Sequence, residues 1–117
     1  MKDYASLKNY KEFKDVYDNG KSYANKYLVM YVKKNESGKD RLGISVSKKV
    51  GNSVVRHRTT RLIREAYRLN KNTFNSGLDV VVIARVTAKG ITYKEMESAF
   101  LHLAKLQRII TENSKIN

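Results

Sequence analysis

Neither cysteine nor proline occurs in the 117 residues. Without cysteine there is no disulfide and no thiolate metal site, and a reducing cytoplasm is the natural setting. No proline-rich linker or low-complexity tract divides the chain, and its length fits one compact domain over residues 1–117 with no room for a second core. Long apolar runs are missing as well. Nothing approaches the roughly 18 residues that cross a bilayer. The opening MKDYASLKNYKEF also lacks the apolar stretch of a secretory signal. A soluble, cytoplasmic chain with no membrane partner is expected.

Acids are scarce: 11 Asp and Glu stand against 24 Lys and Arg, a net charge of +13. Such an excess repels itself in the compact state and calls for a polyanion. It is also uneven, since residues 41–74 hold nine Lys or Arg and a single acid, Glu65. Histidine is scarcer still. Neither His57 nor His102 has an acidic or nucleophilic partner at a useful spacing, and no carboxylate cluster could hold a metal. Asp40 and Asp79 flank strands and read as turn residues. No catalytic residue and no bound cofactor is expected.

The apolar pattern gives six elements. Tyr10, Phe13, Val16 and Tyr17 share one face of a short helix, with Asn9 as N-cap and Gly20 as stop. KYLVMYVKK (26–34) and RLGISVS (41–47) read as strands of an antiparallel hairpin around the turn NESGKD. Residues 52–69 read as a helix opened by Asn52 or Ser53, and LDVVVIA (78–84) as a central strand. A last helix spans Thr92 to Thr111, with a Thr92–Glu95 capping box and a buried stripe of Met96, Phe100, Leu103, Leu106 and Ile110. The order α-β-β-α-β-α is an α+β sandwich, a small sheet with helices packed on it.

The helix at 52–69 carries the strongest functional signal. At about 100° per residue, Val55, Thr59, Leu62, Ile63, Ala66 and Leu69 form a core sector. His57, Arg61, Arg64 and Arg68 lie opposite, within an arc of roughly 60°. Arg56 falls on one shoulder beside Thr60 and Tyr67, and Arg58 on the other. A merely solvated face would mix signs. This one is of single sign and all arginine, the side chain whose planar fork pairs with two phosphate oxygens at once. Before it, SKKVGN places Lys48, Lys49 and a glycine at a helix N-terminus, where free N–H groups favour phosphate. The spacing is not that of a nucleotide-binding P-loop, and Gly51 alone is equally an ordinary turn residue.

Strand 26–34 is apolar on both faces: Leu28, Met30 and Val32 point one way, Tyr27, Val29 and Tyr31 the other. Either the first helix covers the second face, or helix and sheet leave a groove in which Phe13, Tyr17 and Tyr31 can hold an unpaired base, with Arg56 on its border. A helix-turn-helix DNA reader is disfavoured because strands separate the predicted helices, so no DNA partner is expected.

FKDVYDNGKSYAN, RLGISVSKKVGNSVVR, the arginine-rich helix and DVVVIAR together resemble the protein subunit of bacterial ribonuclease P over nearly the whole chain. The resemblance implies a left-handed β-α-β crossover, against the usual handedness. It implies a holoenzyme that removes the 5′ leader of precursor tRNA, with the Mg²⁺-dependent hydrolysis performed by a catalytic RNA subunit. RNA-subunit contacts would fall to Lys48, Lys49, Asn52, Arg56, Arg58, Arg61, Arg64 and Arg68, and leader contacts to Phe13, Tyr17, Tyr31 and Arg56. Where the family usually reads R-N-x-x-K-R-x-x-R, this chain has His57 and Thr60 in place of the asparagine and lysine, and Arg58 or a protonated His57 would substitute. The rival reading is another RNA-binding protein of the same architecture, such as a ribosomal component.

Overall fold

The computed structural model describes residues 4–111. Its elements run β1 (Ala5–Ser6), α1 (Tyr10–Asn19), β2 (Lys21–Ala24), β3 (Leu28–Lys34), β4 (Arg41–Ser45), α2 (Ser53–Asn70), β5 (Leu78–Ala84) and α3 (Tyr93–Leu106). The architecture is the expected α+β sandwich, with two short strands added that are too brief to show periodicity. The sheet is mixed, in the order β1-β4-β5-β3-β2.

β5 occupies the centre, antiparallel to β3 and parallel to β4. The hairpin expected between 26–34 and 41–47 therefore does not form. LDVVVIA is apolar on both faces, and a strand of that kind is stabilised by neighbours on both edges, so it separates the two. The tight hairpin is instead β2–β3, paired from Lys21↔Val32 to Ala24↔Val29. β4, α2 and β5 make a parallel crossover unit.

Helices α2 and α3 cover one face. Leu28, Met30, Val32, Val80 and Val82 meet Ile63, Ala66, Met96, Phe100 and Leu103 there in the main core. Tyr27, expected beside Val29 and Tyr31, packs against this core instead, because it precedes the strand and escapes its alternation. The capping box forms as predicted. However, α3 ends at Leu106, where Gln107 caps it and Arg108 adopts a positive φ of 59°. Gln107 is buried and donates to the carbonyls of Lys21 and Met30, fixing the helix end to the sheet. Leu106 is consequently exposed, and Ile110 pairs with Phe74 outside the helix.

Among the described residues, α1 is the one helix on the second face. Its caps are as predicted: Asn9 accepts from Glu12 N, and Gly20 N–H closes on Val16 O. A Cβ at Gly20 would lie 2.5 Å from that carbonyl and 3.0 Å from Val32 O, so only glycine lets the chain turn from helix into β2. Beneath α1, Leu7, Val16 and Val81 form a small second core bordered by Phe13, Tyr17, Tyr31 and Ile83.

Asp79 is no turn residue. It is fully buried in β5, where both its oxygens accept from Arg41 at 2.8 Å and Oδ1 also accepts from Asn35. Arg41 reaches on to Glu12 of α1 at 3.3 Å, and Lys33 pairs with Asp15 at 2.8 Å. These pairs clamp α1 across one end of the sheet. Burial pushes the Asp79 carboxyl up, yet the bonds from Arg41 and Asn35 outweigh it and the net direction is down. Asp40 accepts from Gly77 N and pairs with Lys71.

Candidate nucleic-acid interface

Asn52 caps α2, its side-chain oxygen accepting from Val55 N at 3.0 Å. That oxygen is committed to the helix. The preceding turn closes through Val50 N to Ser47 O, with Val50 buried and Lys48 and Lys49, its two central residues, exposed.

The buried face of α2 is Thr59, Ile63, Ala66 and Tyr67. It is rotated by about 50° from the expected sector. The rotation turns Leu69 out to 54% exposure and brings Tyr67 in, edge-on to Tyr4 at 4.8 Å and close to Phe74 and Phe100. Aromatic packing decided the matter: a ring buries more area than the leucine it displaces. Burial pushes the Tyr67 hydroxyl up.

The arginines remain outside. His57, Arg58, Arg61, Arg64 and Arg68 are all exposed. Arg68 is held by Glu65 through two bonds, Nε to Oε1 at 2.9 Å and Nη2 to Oε2 at 2.7 Å, and this pairing lowers the Glu65 carboxyl and raises the Arg68 guanidinium. Among the described residues no ion pair engages Arg58, Arg61 or Arg64. The same rotation turns Arg56 inward over β4. Its Nε is buried without a hydrogen-bond partner among the described residues. A buried donor left unmatched is uncommon in folded proteins and asks for an external acceptor.

Arg56 lines a pocket of about 400 Å³ with Ser53, His57, Thr60, Arg64, Ile44 of β4 and Val46 just beyond it. A smaller pocket of about 150 Å³ adjoins it, sharing Ile44, Thr60 and Arg64 and adding Leu7, Phe13 and Gly43. The two are contiguous because β1 pairs with β4 only at Arg41 and Leu42, leaving the edge from Gly43 onward uncovered. Phe13 packs against that edge. A Cβ at Gly43 would fall 2.8 Å from the Phe13 ring, so glycine is what lets the ring approach.

From Phe13 an aromatic border continues along α1 to Tyr17, 6.3 Å away between centroids, and then to Tyr31 on β3, edge-on at 5.0 Å. Burial first, then Tyr31, raises the Tyr17 hydroxyl. All three rings are partly exposed, and Val29 and Ile83 beyond them are only partly buried. α1 thus covers part of this face and leaves Val29 and Ile83 partly exposed on the rest. Arg56 lines the α2 side of the β4 edge, and Arg64 touches both pockets.

Among the described residues no three His, Asp or Glu side chains come together as a metal site. None of their helices is long and apolar enough to cross a membrane.

Comparison with known proteins agrees with this geometry. The family model described as Ribonuclease P matches residues 1–108. The ribonuclease P protein component of Lachnoclostridium phytofermentans is 66% identical over 108 residues, covering 92% of this chain and 93% of that protein. That of Alkaliphilus metalliredigens is 49% identical over 90% of this chain and 95% of its own. Among solved structures, the Staphylococcus aureus RNase P protein superposes with a TM-score of 0.84 at 36% identity, covering 91% of this chain and 97% of that one. The Thermotoga maritima protein gives 0.78 at 32% identity, over 91% and 98%. Matched from residue 1 to residue 108 and in fold, the chain belongs to the bacterial ribonuclease P protein component family, the protein subunit of an endoribonuclease holoenzyme.

Proposed function

We propose that the chain acts as a single RNA-binding domain, residues 1–117, that fastens to the catalytic RNA subunit by α2 and its preceding loop. It holds the single-stranded 5′ leader of precursor tRNA along the α1 groove. Arg58, Arg61 and Arg64, with Lys48 and Lys49, supply the main phosphate contacts, Arg68 a weaker one while Glu65 holds it, and Arg56 offers its buried Nε to an RNA oxygen at the β4 edge. Asn52 holds the helix start in register. Phe13, Tyr17 and Tyr31 give leader bases a surface to stack on without reading their identity, which suits a substrate class recognised by tRNA shape.

One observation carries this reading: three arginines of α2 are exposed and, among the described residues, without an ion pair, and the smaller of the two pockets beside α2 is lined by Phe13, the first ring of the aromatic border. The carboxylates of Glu12, Asp15 and Asp79 are spent in ion pairs with Arg41 and Lys33 and do not form a magnesium site. In this reading Mg²⁺-dependent cleavage belongs to the RNA subunit, and this chain positions the substrate.

The test compares precursor and mature tRNA binding to the reconstituted RNA–protein complex. Tyr31→Ala should weaken precursor binding by roughly 1–3 kcal/mol, the range for one stacked base, and leave mature tRNA untouched. Equal loss on both, or no preference for precursor in the unaltered complex, would sink the leader assignment.

A further inference from the structure

Helix α1 has a single fully buried side chain, Val16. At about 100° per residue, Glu12 and Asp15 stand about 40° and 100° to one side of it, and Phe13 and Tyr17 about 60° and 100° to the other. One flank of the helix is therefore acidic and the other aromatic, and a roll about its axis moves both together.

The sheet beneath is ordered in matching rows. The strand registers place Arg41, Asp79 and Lys33 side by side in the first row. There Glu12 meets Arg41 at 3.3 Å and Asp15 meets Lys33 at 2.8 Å. About 7 Å further along the strands, Phe13 packs against Gly43 and Tyr17 against Tyr31. The partly exposed Val29 and Ile83 make the next row. α1 thus lies across the strands, tied at two points on its acidic flank and turning its rings toward the open row. Asp15 is braced in its place: Asn19 Nδ2 donates to its Oδ1 at 2.8 Å, and Lys33 Nζ takes Oδ2.

The lever is short and effective. A helix with its side chains is about 10–12 Å across, so a roll of about 20° carries a ring through about 2 Å. That is more than half the stacked spacing of about 3.4 Å between bases. Two acids beside a groove for a polyanion also repel the strand, in a chain that has only 11 acids. Their place is explained by what they hold. We infer that Asp15 and Glu12 are positioning residues for the leader: through Lys33 and Arg41 they set the roll of α1, and with it the reach of Phe13 and Tyr17 over the open row. The inference rests on the groove assignment of the preceding subsection and adds to it residues that touch no RNA.

The Asp15–Lys33 pair is the one to alter, because Arg41 also holds the buried Asp79 and Glu12 also accepts from Lys8 N at the helix start. Asp15→Ala, Lys33→Ala and the double variant are each reconstituted with the RNA subunit, and affinity is measured for precursor and for mature tRNA. Positioning requires all three to weaken precursor binding to the same extent, by about two- to fivefold, the span that one partly exposed pair supports. Mature tRNA and RNA-subunit affinity should stay unchanged, and Lys33→Arg, which keeps the pair, should match wild type. Net charge alone gives another pattern: Asp15→Ala would strengthen precursor binding, Lys33→Ala would weaken it, and the double variant would match wild type. A direct lysine–phosphate contact would weaken Lys33→Ala and the double variant but not Asp15→Ala. Either pattern overturns the inference, and so does RNA-subunit affinity falling in step with precursor affinity, which marks general destabilisation. A wild-type preference for precursor that survives all three variants would remove the positioning role and keep the groove. A wild-type complex with no such preference would remove the groove, and the positioning role with it.

Discussion

Glu65 is the only acid on an otherwise cationic helix surface, and its pairing with Arg68 makes the arginines of α2 unequal. Arg61 and Arg64 are exposed and, among the described residues, free of ion pairs, whereas Arg68 has both its Nε and Nη2 on Glu65. Each phosphate that an arginine no longer neutralises should flatten the dependence of log K on log salt by about one. Arg61→Ala/Arg64→Ala should thus reduce the slope of RNA-subunit binding by about two. Over a fourfold rise in salt, the affinity gap to wild type should close by about sixteenfold. Arg68→Ala should do much less, since its charge is already matched within the helix. Glu65→Gln should act in the opposite sense, freeing the guanidinium and steepening the slope by about one. Stability should hardly move, because an exposed pair contributes little to folding. Equilibrium binding of the protein to its RNA subunit at four or more salt concentrations measures all four slopes. If Arg68→Ala matched Arg61→Ala, the pairing would not protect Arg68 from the RNA. If the double variant kept the wild-type slope, the arc would not face RNA at all.

Two further perturbations address the groove side. Arg41→Ala strands a fully buried Asp79 carboxylate and should destabilise the fold by about 3 kcal/mol in denaturant melts, the low end for a buried pair because the arginine keeps 29% of its side chain exposed. The native Asp79 pKa is depressed, so the clamp's contribution is present above about pH 5 and lost as pH falls through that lowered value; the difference between wild type and variant should therefore narrow below about pH 4, and a constant difference would remove Asp79 from the account. Gly43→Ala forces the Phe13 ring off β4 and should cost about 1–3 kcal/mol by overpacking, with leader affinity falling and RNA-subunit affinity kept; loss of both would mean that the sheet edge, and not the ring, had moved.

The elements and the exposed arc were legible because they rest on periodicity and sign, which are local. The pairing of strands was not. A Gly-containing turn between two strands favours a hairpin locally, but the all-apolar β5 comes later in the chain and claims the site between them. The rotation of α2 was hidden for a similar reason. Its wheel placed Leu69 in the core sector and Tyr67 on a shoulder, and the exchange of the two rests on Tyr4, Phe74 and Phe100, which come from three other segments. Arg56 followed the rotation inward. Asp79 looked like a strand-flanking turn residue because nothing in the sequence announces that Arg41 lies opposite it.

The two ends of the α1 face are composed in opposite ways, and that contrast bears on what the groove is for. At one end of the α1 footprint, beyond the Leu7, Val16 and Val81 core, charged residues lie under the helix: Lys33, Arg41 and Asp79 meet Asp15 and Glu12 there. Where no described helix covers it, the same face carries Val29 and Ile83, partly exposed. Solubility alone would favour lysines on the open half, and a chain of net charge +13 has lysines to spare. Apolar side chains kept on the uncovered half, bordered by Tyr17 and Tyr31 and entered past Arg64, form a surface whose natural cover is the flat, apolar face of a base carried on a charged backbone.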